Sequence, residues 1–566
     1  MSKNTINPLH NAETHEVFNQ PSTLENYNLY KQDIALQEAV LREGADWSEN
    51  ELLAFGEISG TKEAIELGFQ ANENKPQFFS HDSHGHRIDE IRFHPAYHQL
   101  MKTSIEHGIH SSHWATPQKG AHVARAAKFY LQTQVEAAHM CPITMTSAAI
   151  PALINQPEIL KLYGPQIMAK HYDPRNIPLE KKKGITIGMA MTEKQGGSDV
   201  RANTTVATPI EDAGSGQPYS LVGHKYFVSA PMSDAFLVLA KTNIGLSCFL
   251  LPRWKPDGSK NPMQIQQLKL KMGNVANASS ETELRGAYAL MIGEDGRGVS
   301  TILNMVAMTR FDCMIGSSAG MRQAVVQAVH HCSHRSAFGA ALIDQPLMQN
   351  VLADLIIESE ASLAMSMRIA RAMDNKDTSK NEEQLVRIGT SIGKYWICKR
   401  QPEHAFEAME CIGGSGVMEN TIMPRLFRES PINSIWEGSG NVQCLDMLRT
   451  LHKMPESITI FINELKLSQG RHANLDAAIA KLSSELSDLR EIEYRARSIV
   501  ELMALTFQGA LLMQAGDDEI AKAFCESRLA ANTFGLVYGN LPTGIDCAHI
   551  IARANVNSSK LNNDQE

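Results

Sequence analysis

The stretch Trp436-Glu437-Gly438-Ser439-Gly440-Asn441 carries the clearest chemical signal in this chain. Its one carboxylate, Glu437, stands between a large aromatic residue and two glycines. Glycine adopts backbone conformations that are closed to other residues, and it lets a ligand approach the main chain. A carboxylate in such a turn can be partly withdrawn from water, which raises its pKa and suits it to act as a general base.

Two upstream segments give Glu437 its significance. Met191 to Asp199 combines hydroxyl side chains with a glycine pair, and Gly223 to Ser229 is a β-rich run that contains an aromatic residue. A lone glutamate at the end of a helix is most often a surface carboxylate in a turn. The three segments together predict a site that remote parts of the chain build in common.

The composition indicates a globular protein of several domains. With 566 residues, of which 43% are hydrophobic, the chain is too long for one core and predicts three or four domains. Its net charge of −9 excludes a protein that binds nucleic acid through its overall charge. Nine scattered cysteines without a C-x-x-C motif indicate a reducing compartment. Because we find neither a signal-peptide pattern nor an apolar run of about 18 residues, we expect a cytoplasmic protein that does not enter a membrane.

The spacing of apolar residues changes from helical to strand-like and back along the chain, which predicts a mostly α fold with a central β-domain. Apolar residues recur at helical spacing after Trp47, short β-rich runs and turns follow Gly184, and the helical spacing returns at Val299. No strand, glycine-rich turn and helix of the Rossmann type is visible. The predicted regions are an arm at 1–45, a helical domain at 46–183, a β-barrel at 184–292, a helical bundle at 293–451 and an extra helical domain at 452–566.

In this order and spacing, the three segments resemble those of the acyl-CoA dehydrogenase flavoprotein family over roughly residues 45 to 450. Other segments are similar to the AidB-type branch, the bacterial flavoproteins linked to the response to DNA alkylation. They are Val17 to Pro21, Phe93 to Pro95, Cys141 to Thr146, Met191 to Asp199 and Asn433 to Asn441, together with the C-terminal extension. The resemblance implies a helical domain, a β-barrel and a helical bundle, followed by the extra helical domain.

The resemblance implies an enzyme that contains FAD and acts on an acyl-CoA thioester. Members of the family remove one hydrogen from each of two adjacent carbons, and the cofactor carries the redox chemistry. Glu437 matches the base that takes the α-proton. Some branches place the base on a different helix, where Thr309 stands here, and threonine cannot act as that base. Arg310 would lie near the substrate, although an ion pair at the helix surface explains it as well.

Several residues match the family's cofactor and substrate contacts. Phe227 would stack on the isoalloxazine ring, although the core of the barrel is an alternative place for this aromatic residue. The implied FAD-binding residues are Met189, Met191, Thr192, Gly197, Ser198, Phe227, Val228, Ser229, Arg335, Phe338, Gln345, Ser434, Trp436, Gly438, Ser439 and Asn441. The implied substrate contacts are Thr192, Ser198 and Arg310.

Three of these residues imply an assembly. Arg335, Phe338 and Gln345 match a run that reaches the FAD pyrophosphate of another subunit, and a guanidinium group suits phosphate. The resemblance therefore implies a homotetramer. The glycines at 413–416 match a stretch near a neighbouring subunit's FAD, but a helix C-cap followed by a tight turn explains them equally well.

The chain departs from ordinary family members at three positions. Lys194-Gln195 replaces a common Pro-Gly pair, and Ser439 replaces a common threonine. We expect these changes to lie where substrate passes, and so predict weak α,β-dehydrogenation of short or branched acyl-CoA. One alternative is an ordinary metabolic acyl-CoA dehydrogenase without a nucleic-acid role. Another is a flavin-bearing module that shields DNA without catalytic turnover.

Binding of double-stranded DNA through the C-terminal extension is implied by the resemblance, but the charge of that region does not support it. Acidic residues outnumber basic ones after Leu451. Arg490, Arg495 and Arg497 could form a local basic patch on a predicted helix, although glutamates interleave with them. A solvated helix face with alternating charge is the simpler interpretation.

Two histidine clusters raise the question of a metal. His81, His84 and His86 lie in a polar stretch, and three further histidines recur at every third position from residue 107 to residue 113. No cysteine or carboxylate spacing completes a known zinc site. We therefore predict no metal.

Overall fold

The computed structural model describes residues 14–531 and 537–556, so part of the predicted arm lies outside the described residues. Residues 14–33 form neither a helix nor a strand. Tyr27, Leu29 and Tyr30 are nevertheless buried, and the backbone N–H groups of Tyr27 and Leu29 donate to the carbonyls of Gly60 and Gly56. This part of the arm therefore packs on its own chain.

Helices and one hairpin make up the first region. The helices are α1 (Ile34–Arg42), α2 (Glu49–Ser59), α3 (Lys62–Glu73), α4 (Pro95–Glu106), α5 (Ser112–Ala115), α6 (Ala121–Val135), α7 (Met140–Leu153) and α8 (Pro157–Ile167). Strands β1 (Gln77–His81) and β2 (Arg87–Arg92) pair as an antiparallel hairpin. Helix α4 begins at Pro95, because the proline ring fixes the first turn and the His94 ring accepts from the N–H of Ala96.

A closed sheet follows. Its strands are β3 (Ile187–Ala190), β4 (Val206–Pro209), β5 (Pro218–Ser229), β6 (Ala235–Lys241), β7 (Leu246–Pro252), β8 (Met263–Leu268) and β9 (Ser279–Ile292). Pairings run from β4 through β5, β9 and β7 to β6, and β6 returns to β4, so these strands close a ring. Closure leaves the ring without free edges. The predicted central β-barrel is thus present.

Long helices pack beside this barrel. They are α9 (Gly298–His334), α10 (Pro346–Asn375) and α11 (Lys380–Ile412), with a short hairpin of β10 (Ser336–Ala337) and β11 (Ala340–Ala341) between α9 and α10. Shorter helices follow: α12 (Met423–Glu429), α13 (Ile432–Ile435) and α14 (Gly440–Lys453). Helix α9 has 37 residues and is buried over most of its length. It runs from the barrel side of the molecule to the β10–β11 hairpin.

The last region is also helical. It contains α15 (Glu456–Lys466), α16 (Ala473–Ser487), α17 (Ile492–Ala515), α18 (Asp518–Arg528) and α19 (Cys547–Ala554). Helix α17 has the length and apolar composition of a membrane-spanning helix, but most of it is buried within the protein, as a core helix is. A mostly α fold with a central β-domain is therefore confirmed, whereas the limits between the five regions stay predictions.

Four arginines of the last region have partners within the chain. Arg490 pairs with an aspartate at 2.7 Å, Arg495 pairs with a glutamate at 2.5 Å, and Arg497 donates to the hydroxyl of Tyr395 at 3.2 Å. Arg553 is buried and pairs with three carboxylates. The simpler interpretation of alternating, neutralised charge fits these contacts better than a basic patch does.

The histidines do not gather around a metal site. Among the described residues, no group of three or more histidine, cysteine or carboxylate side chains has an arrangement that could hold a metal. Burial lowers the pKa of His110 to about 4 and that of His113 well below its usual value. Both side chains are therefore neutral core residues at pH 7.

Candidate active site

A cavity of about 1440 Å³ lies between the barrel and helices α7, α9 and α14. Its wall brings together the three sequence segments that carry the chemical signal. The predicted site residues that line it are Met189, Met191, Thr192, Gly197, Ser198, Phe227, Ser229, Arg310, Trp436, Glu437, Gly438 and Ser439. Remote segments therefore build one concave site, the usual setting for a small-molecule ligand.

Three predicted contacts in the same segments turn away from the cavity. The Val228 side chain is buried in the barrel core, because successive side chains along β5 point to opposite faces. Ser434 Oγ lies 2.8 Å from the carbonyl oxygen of Pro431. Asn441 is exposed in the first turn of α14. Any ligand contact from Val228 would have to come from its backbone.

Three others lie at the opposite end of α9. Arg335 follows Thr309 by 26 residues, a distance of about 39 Å along a helix. Arg335 donates to the carbonyl of Asn19 at 2.7 Å, and Gln345 donates to a carbonyl of the hairpin at 2.8 Å. Phe338 is 100% exposed at the hairpin tip. None of the three reaches the cavity of its own subunit.

Glu437 occupies a sharp turn that other side chains hold in place. Its φ is +58°, in the left-handed region that side chains other than glycine rarely adopt, and Gly438 follows with φ +95°. Lys394 donates to the carbonyls of Trp436 at 2.7 Å and of Gly438 at 2.6 Å, while Arg310 Nε donates to the carbonyl of Glu437 at 2.9 Å. Two cations therefore bind three successive carbonyls and stabilise the turn.

Asp446 fixes Arg310 in that position. Its carboxylate accepts from Arg310 at 2.9 Å, from Arg387 at 2.7 Å and from the Ser391 hydroxyl at 3.1 Å. Burial opposes its ionisation, but the two arginines outweigh burial and lower its pKa to about 2. Arg310 thus combines both interpretations of the sequence, because it forms an ion pair and also lines the cavity.

The Glu437 carboxyl group faces the cavity next to Thr309. The Thr309 hydroxyl lies 2.7 Å from Glu437 Oε2. Burial raises the pKa of Glu437, although the Thr309 hydrogen bond and the charges of Arg310 and Lys394 act in the opposite direction. A carboxylate with a raised pKa, set on a cavity wall, has the properties of a general base.

The backbone of Glu437 adds a second feature. The peptide between Trp436 and Glu437 is planar and trans, so its N–H points away from the Lys394 ammonium that binds its carbonyl. This N–H donates to no acceptor among the residues that the structure describes. It is a donor available to a carbonyl oxygen of a bound ligand.

A buried ion pair shapes the loop from Met191 to Thr205. Glu193 accepts from the Lys225 ammonium at 2.8 Å, from the Thr204 N–H at 2.6 Å and from the Thr205 hydroxyl at 2.6 Å. Burial opposes the charge on Glu193, but Lys225 and the hydrogen bonds lower its pKa to about 2. Thr192, Gly197 and Ser198 owe their places on the cavity wall to this anchored loop.

Lys194 and Gln195, the two residues of this loop that depart from the family pattern, do not line the cavity. Gln195 donates into the loop, to Glu193 at 2.7 Å, and the Lys194 ammonium lies 3.6 Å from Glu281 on the barrel. Neither residue lines the cavity, whereas Ser439 does. The expectation that all three departures lie where substrate passes is therefore wrong for Lys194 and Gln195.

The barrel side of the cavity fits an isoalloxazine ring. The Phe227 side chain is 41% exposed on that wall, so it is not a barrel-core residue, and the Ser229 side chain lies on the same wall. A Cβ at Gly197 would lie 3.2 Å from the methyl carbon of Thr192, so a larger residue at position 197 would crowd the Thr192 side chain and its hydroxyl group. An aromatic ring, hydroxyl groups and an open backbone together suit a flavin.

Sequence reasoning missed several residues of the site. The Lys394 side chain is only 1% exposed. Its burial could have been predicted, because it is the one charged residue in the otherwise uncharged run Ser391 to Ile397. Lys271 and Glu429 also line the cavity. Burial lowers the pKa of Lys271 to about 8 and raises that of Glu429 to about 7. No local motif surrounds these two.

The glycines at 413–416 follow directly after the end of helix α11. Gly413 has φ +71°, and its N–H donates to the carbonyl of Glu410 at the end of α11. A short 3₁₀ turn spans Gly413–Val417. This geometry is a glycine C-cap, the simpler of the two interpretations of the sequence.

Comparison with known families and proteins agrees with this arrangement. The model of the adaptive response protein AidB N-terminal domain matches residues 19–174. The acyl-CoA dehydrogenase middle domain matches residues 188–287, and the acyl-CoA dehydrogenase C-terminal domain matches residues 296–452. The matched ranges together cover all three segments and every residue that lines the cavity except Lys453.

Individual proteins are similar over nearly the full length. The Escherichia coli protein AidB, named as an acyl-CoA dehydrogenase, is 44% identical over 91% of this chain and 95% of its own. Acyl-CoA dehydrogenase family member 11 of Caenorhabditis elegans is 30% identical over 81% of this chain and 79% of its own.

Solved structures share the fold. The structure of Caenorhabditis elegans ACDH-11 in complex with C11-CoA has a TM-score of 0.84 at 26% identity, covering 92% of this chain and 94% of that one. An acyl-CoA dehydrogenase of Bacillus anthracis complexed with FAD has a TM-score of 0.64 at 17% identity, covering 90% and 88%. From the family matches and the full-length identity, the chain belongs to the acyl-CoA dehydrogenase family of FAD-dependent oxidoreductases, in its AidB-type branch.

Proposed function

We propose that this chain removes the α-proton and a β-hydrogen from an acyl-CoA thioester, with Glu437 as the base. The observation that carries the proposal is the half-buried Glu437 carboxyl group, which faces a cavity whose opposite wall suits a flavin. The similar Caenorhabditis elegans structure holds C11-CoA, which supports a thioester substrate. When bound, FAD supplies the acceptor for the β-hydrogen as hydride.

Proton removal falls to the carboxylate alone. The Thr309 hydroxyl donates to Oε2 and fixes the rotation of the group, so that Oε1 is free to take the proton. As negative charge builds on the thioester oxygen, the Glu437 N–H can donate to it. One residue thus supplies a base through its side chain and a donor through its backbone.

The protein holds the cofactor mainly from the barrel side. Phe227 would lie against the ring, the hydroxyls of Thr192 and Ser229 would donate to its polar atoms, and Met189 and Met191 would contribute backbone contacts. Weak turnover stays a prediction that now depends on Ser439, since the other two departures lie outside the cavity wall.

A homotetramer is part of the proposal. Arg335, Phe338 and Gln345 are too far from their own cavity to serve it, so we infer that they complete the cofactor site of a neighbouring subunit. The exposed Phe338 ring and the partly buried Arg335 at the hairpin are available for such a contact. A place in the cytoplasm stays a prediction.

Binding of duplex DNA and a role in the alkylation response are the finer part of the proposal. They are supported by the match to the adaptive response protein and by the similarity to AidB. Ion pairs within the chain neutralise Arg490 and Arg495 of the predicted C-terminal patch, so we infer that a DNA-binding surface would form between subunits. The ordinary metabolic dehydrogenase remains the alternative.

Glu437→Gln should retain FAD and lose flavin bleaching by acyl-CoA under anaerobic conditions. Removing a general base slows a reaction by about 10² to 10⁴-fold. Glu429→Gln is the matched control: it changes a carboxyl group of the same cavity whose pKa burial raises to about 7, and it should bleach normally. Unchanged bleaching in Glu437→Gln would assign the base to another group.

The bleaching rate should fall as pH decreases, at a higher pH than for an ordinary glutamate. The base acts only when it is ionised. Because burial raises the pKa of Glu437, protonation inactivates the base at a higher pH than it would an ordinary glutamate. Thr309→Val removes a hydrogen bond that stabilises the carboxylate, and this acid limb should move to still higher pH. A shift to lower pH would contradict the assigned contact.

Light scattering after gel filtration should give about four times the chain mass of 62.4 kDa. Arg335→Ala should reduce the FAD content of the purified protein, although Arg335 lies about 39 Å from Thr309 along the helix and does not line the cavity of its own chain. Lys481→Ala, an exposed change in α16, is the control. A monomer that retains FAD would contradict shared cofactor sites.

A gel shift with duplex DNA at about 50 mM salt, weakening at about 200 mM, tests nucleic-acid binding. A salt-dependent shift is the expected result, because phosphate contacts release counterions. If no shift occurs at the lower salt, the metabolic alternative stands.

A further inference from the structure

The cavity follows one face of α9. The α9 residues that line it recur at spacings of three and four: Val299, Ser300, Ile302, Leu303, Val306, Thr309, Arg310, Asp312, Cys313, Gly316 and Gly320. Residues at this spacing lie above one another on a helix. From the first to the last is 21 residues, or about 32 Å of helix. The cavity is therefore an elongated channel beside α9.

Thr309, which contacts Glu437, divides this channel into two branches. The outer branch opens at Val299, and the inner branch ends at Gly320, eleven residues beyond Thr309 or about 16 Å away. A thioester whose α-carbon meets Glu437 must direct its two ends into different branches.

The two branches differ in charge. Cationic side chains surround the outer one: Arg201, Lys241, Arg297, Arg449 and Lys453 line it, against the carboxylates of Asp199 and of Asp446, which lies 3.4 Å from Arg449. This excess suits the phosphates of coenzyme A. The inner branch is walled by helices, since the groups nearest Gly316 belong to Phe129, Thr133 and Asn433. The acyl tail therefore points inward.

The inner branch owes its width to two glycines. A Cβ at Gly316 would lie 3.9 Å from carbon atoms of both Phe129 and Thr133 and 3.3 Å from the amide nitrogen of Asn433, so any larger side chain would project into this space. At Gly320 a Cβ would lie 2.1 Å from the amide nitrogen of Gln401. The Gln401 side chain thus closes the channel against the backbone of Gly320.

Gln401 also limits how far an apolar tail can go. Its amide oxygen is buried and has no hydrogen-bond partner among the described residues. A methyl group pressed against it would exclude the water that such a group needs. The tail should therefore end between Gly316 and Gly320, about 10 to 16 Å beyond Thr309.

We propose that this channel binds a straight acyl chain of about ten to fifteen carbons, and that Gly316 and Gln401 set its length. A carbon–carbon bond of about 1.5 Å advances an extended chain by about 1.25 Å, so 10 to 16 Å holds about eight to thirteen carbons beyond the α-carbon. The short or branched chain predicted from sequence would leave this branch largely empty. The proposal rests on the proposed function, because it places the thioester at Glu437.

Displacement of a fluorescent acyl-CoA by butyryl-, isovaleryl-, octanoyl-, dodecanoyl- and hexadecanoyl-CoA tests the proposal without requiring turnover. Each buried methylene group gives about fourfold tighter binding, so dodecanoyl-CoA should bind at least about 100-fold more tightly than butyryl-CoA. Equal affinities, or a preference for isovaleryl-CoA, would overturn it.

Variants locate the determinant. Gly316→Leu should lose the preference for dodecanoyl-CoA and keep the affinity for butyryl-CoA. Leucine has a higher helix propensity than glycine, so helix α9 should be retained in this variant. Gln401→Leu, which makes the end wall apolar, should shift the preference towards hexadecanoyl-CoA. The control Ser300→Leu, on the outer branch of the same helix face, should leave the order of chain lengths unchanged. An unchanged preference in both Gly316→Leu and Gln401→Leu would overturn the assignment.

Anaerobic flavin bleaching with the same thioesters separates this proposal from the proposed function. If dodecanoyl-CoA binds tightly but no thioester bleaches the flavin, dehydrogenation fails and the channel stands. If butyryl-CoA bleaches the flavin and dodecanoyl-CoA neither binds nor reacts, the channel fails and dehydrogenation stands.

Discussion

The site depends on the capture of three successive carbonyl groups by two cations. Without Lys394 and Arg310, the left-handed conformation of Glu437 would keep only the neutral hydrogen bonds that Gln443 donates to the carbonyls of Glu437 and Gly438. Charge-assisted hydrogen bonds of this kind contribute about 1.5 to 3 kcal/mol each. Asp446 in turn holds Arg310, so the position of one base traces back to helices α9, α11 and α14.

On the barrel side of the site, a buried ion pair between Glu193 and Lys225 has a similar positioning role. Glu193 and Lys225 are both buried, and each would be costly alone. Together they join the loop after β3 to strand β5, where a register shift between Lys225 and Val228 leaves Phe227 exposed on the outer face. A polar interior contact thus positions an aromatic ring outside the barrel.

The sequence predicted the fold class and the three segments, because short motifs carry them. Glycines, an aromatic residue and a carboxylate specify local conformations that a reader can recognise without a structure. Lys394 and Asp446 escaped notice because they act across long sequence separations from within ordinary helices. The direction of Gln195 could not be predicted either, since it depends on a hydrogen bond to the buried Glu193. The role proposed for Arg335, Phe338 and Gln345 depends on a neighbouring subunit, which a single chain cannot display.

The contact between Thr309 and Glu437 bears on how such enzymes diverge. Two elements that are 128 residues apart in sequence bring their side chains to within 2.7 Å of each other. An acidic residue introduced on the helix would approach the same point in space that the loop residue reaches now. Evolution could therefore transfer the proton-accepting role from one element to the other through a pair of substitutions, while the surrounding architecture remained as it was.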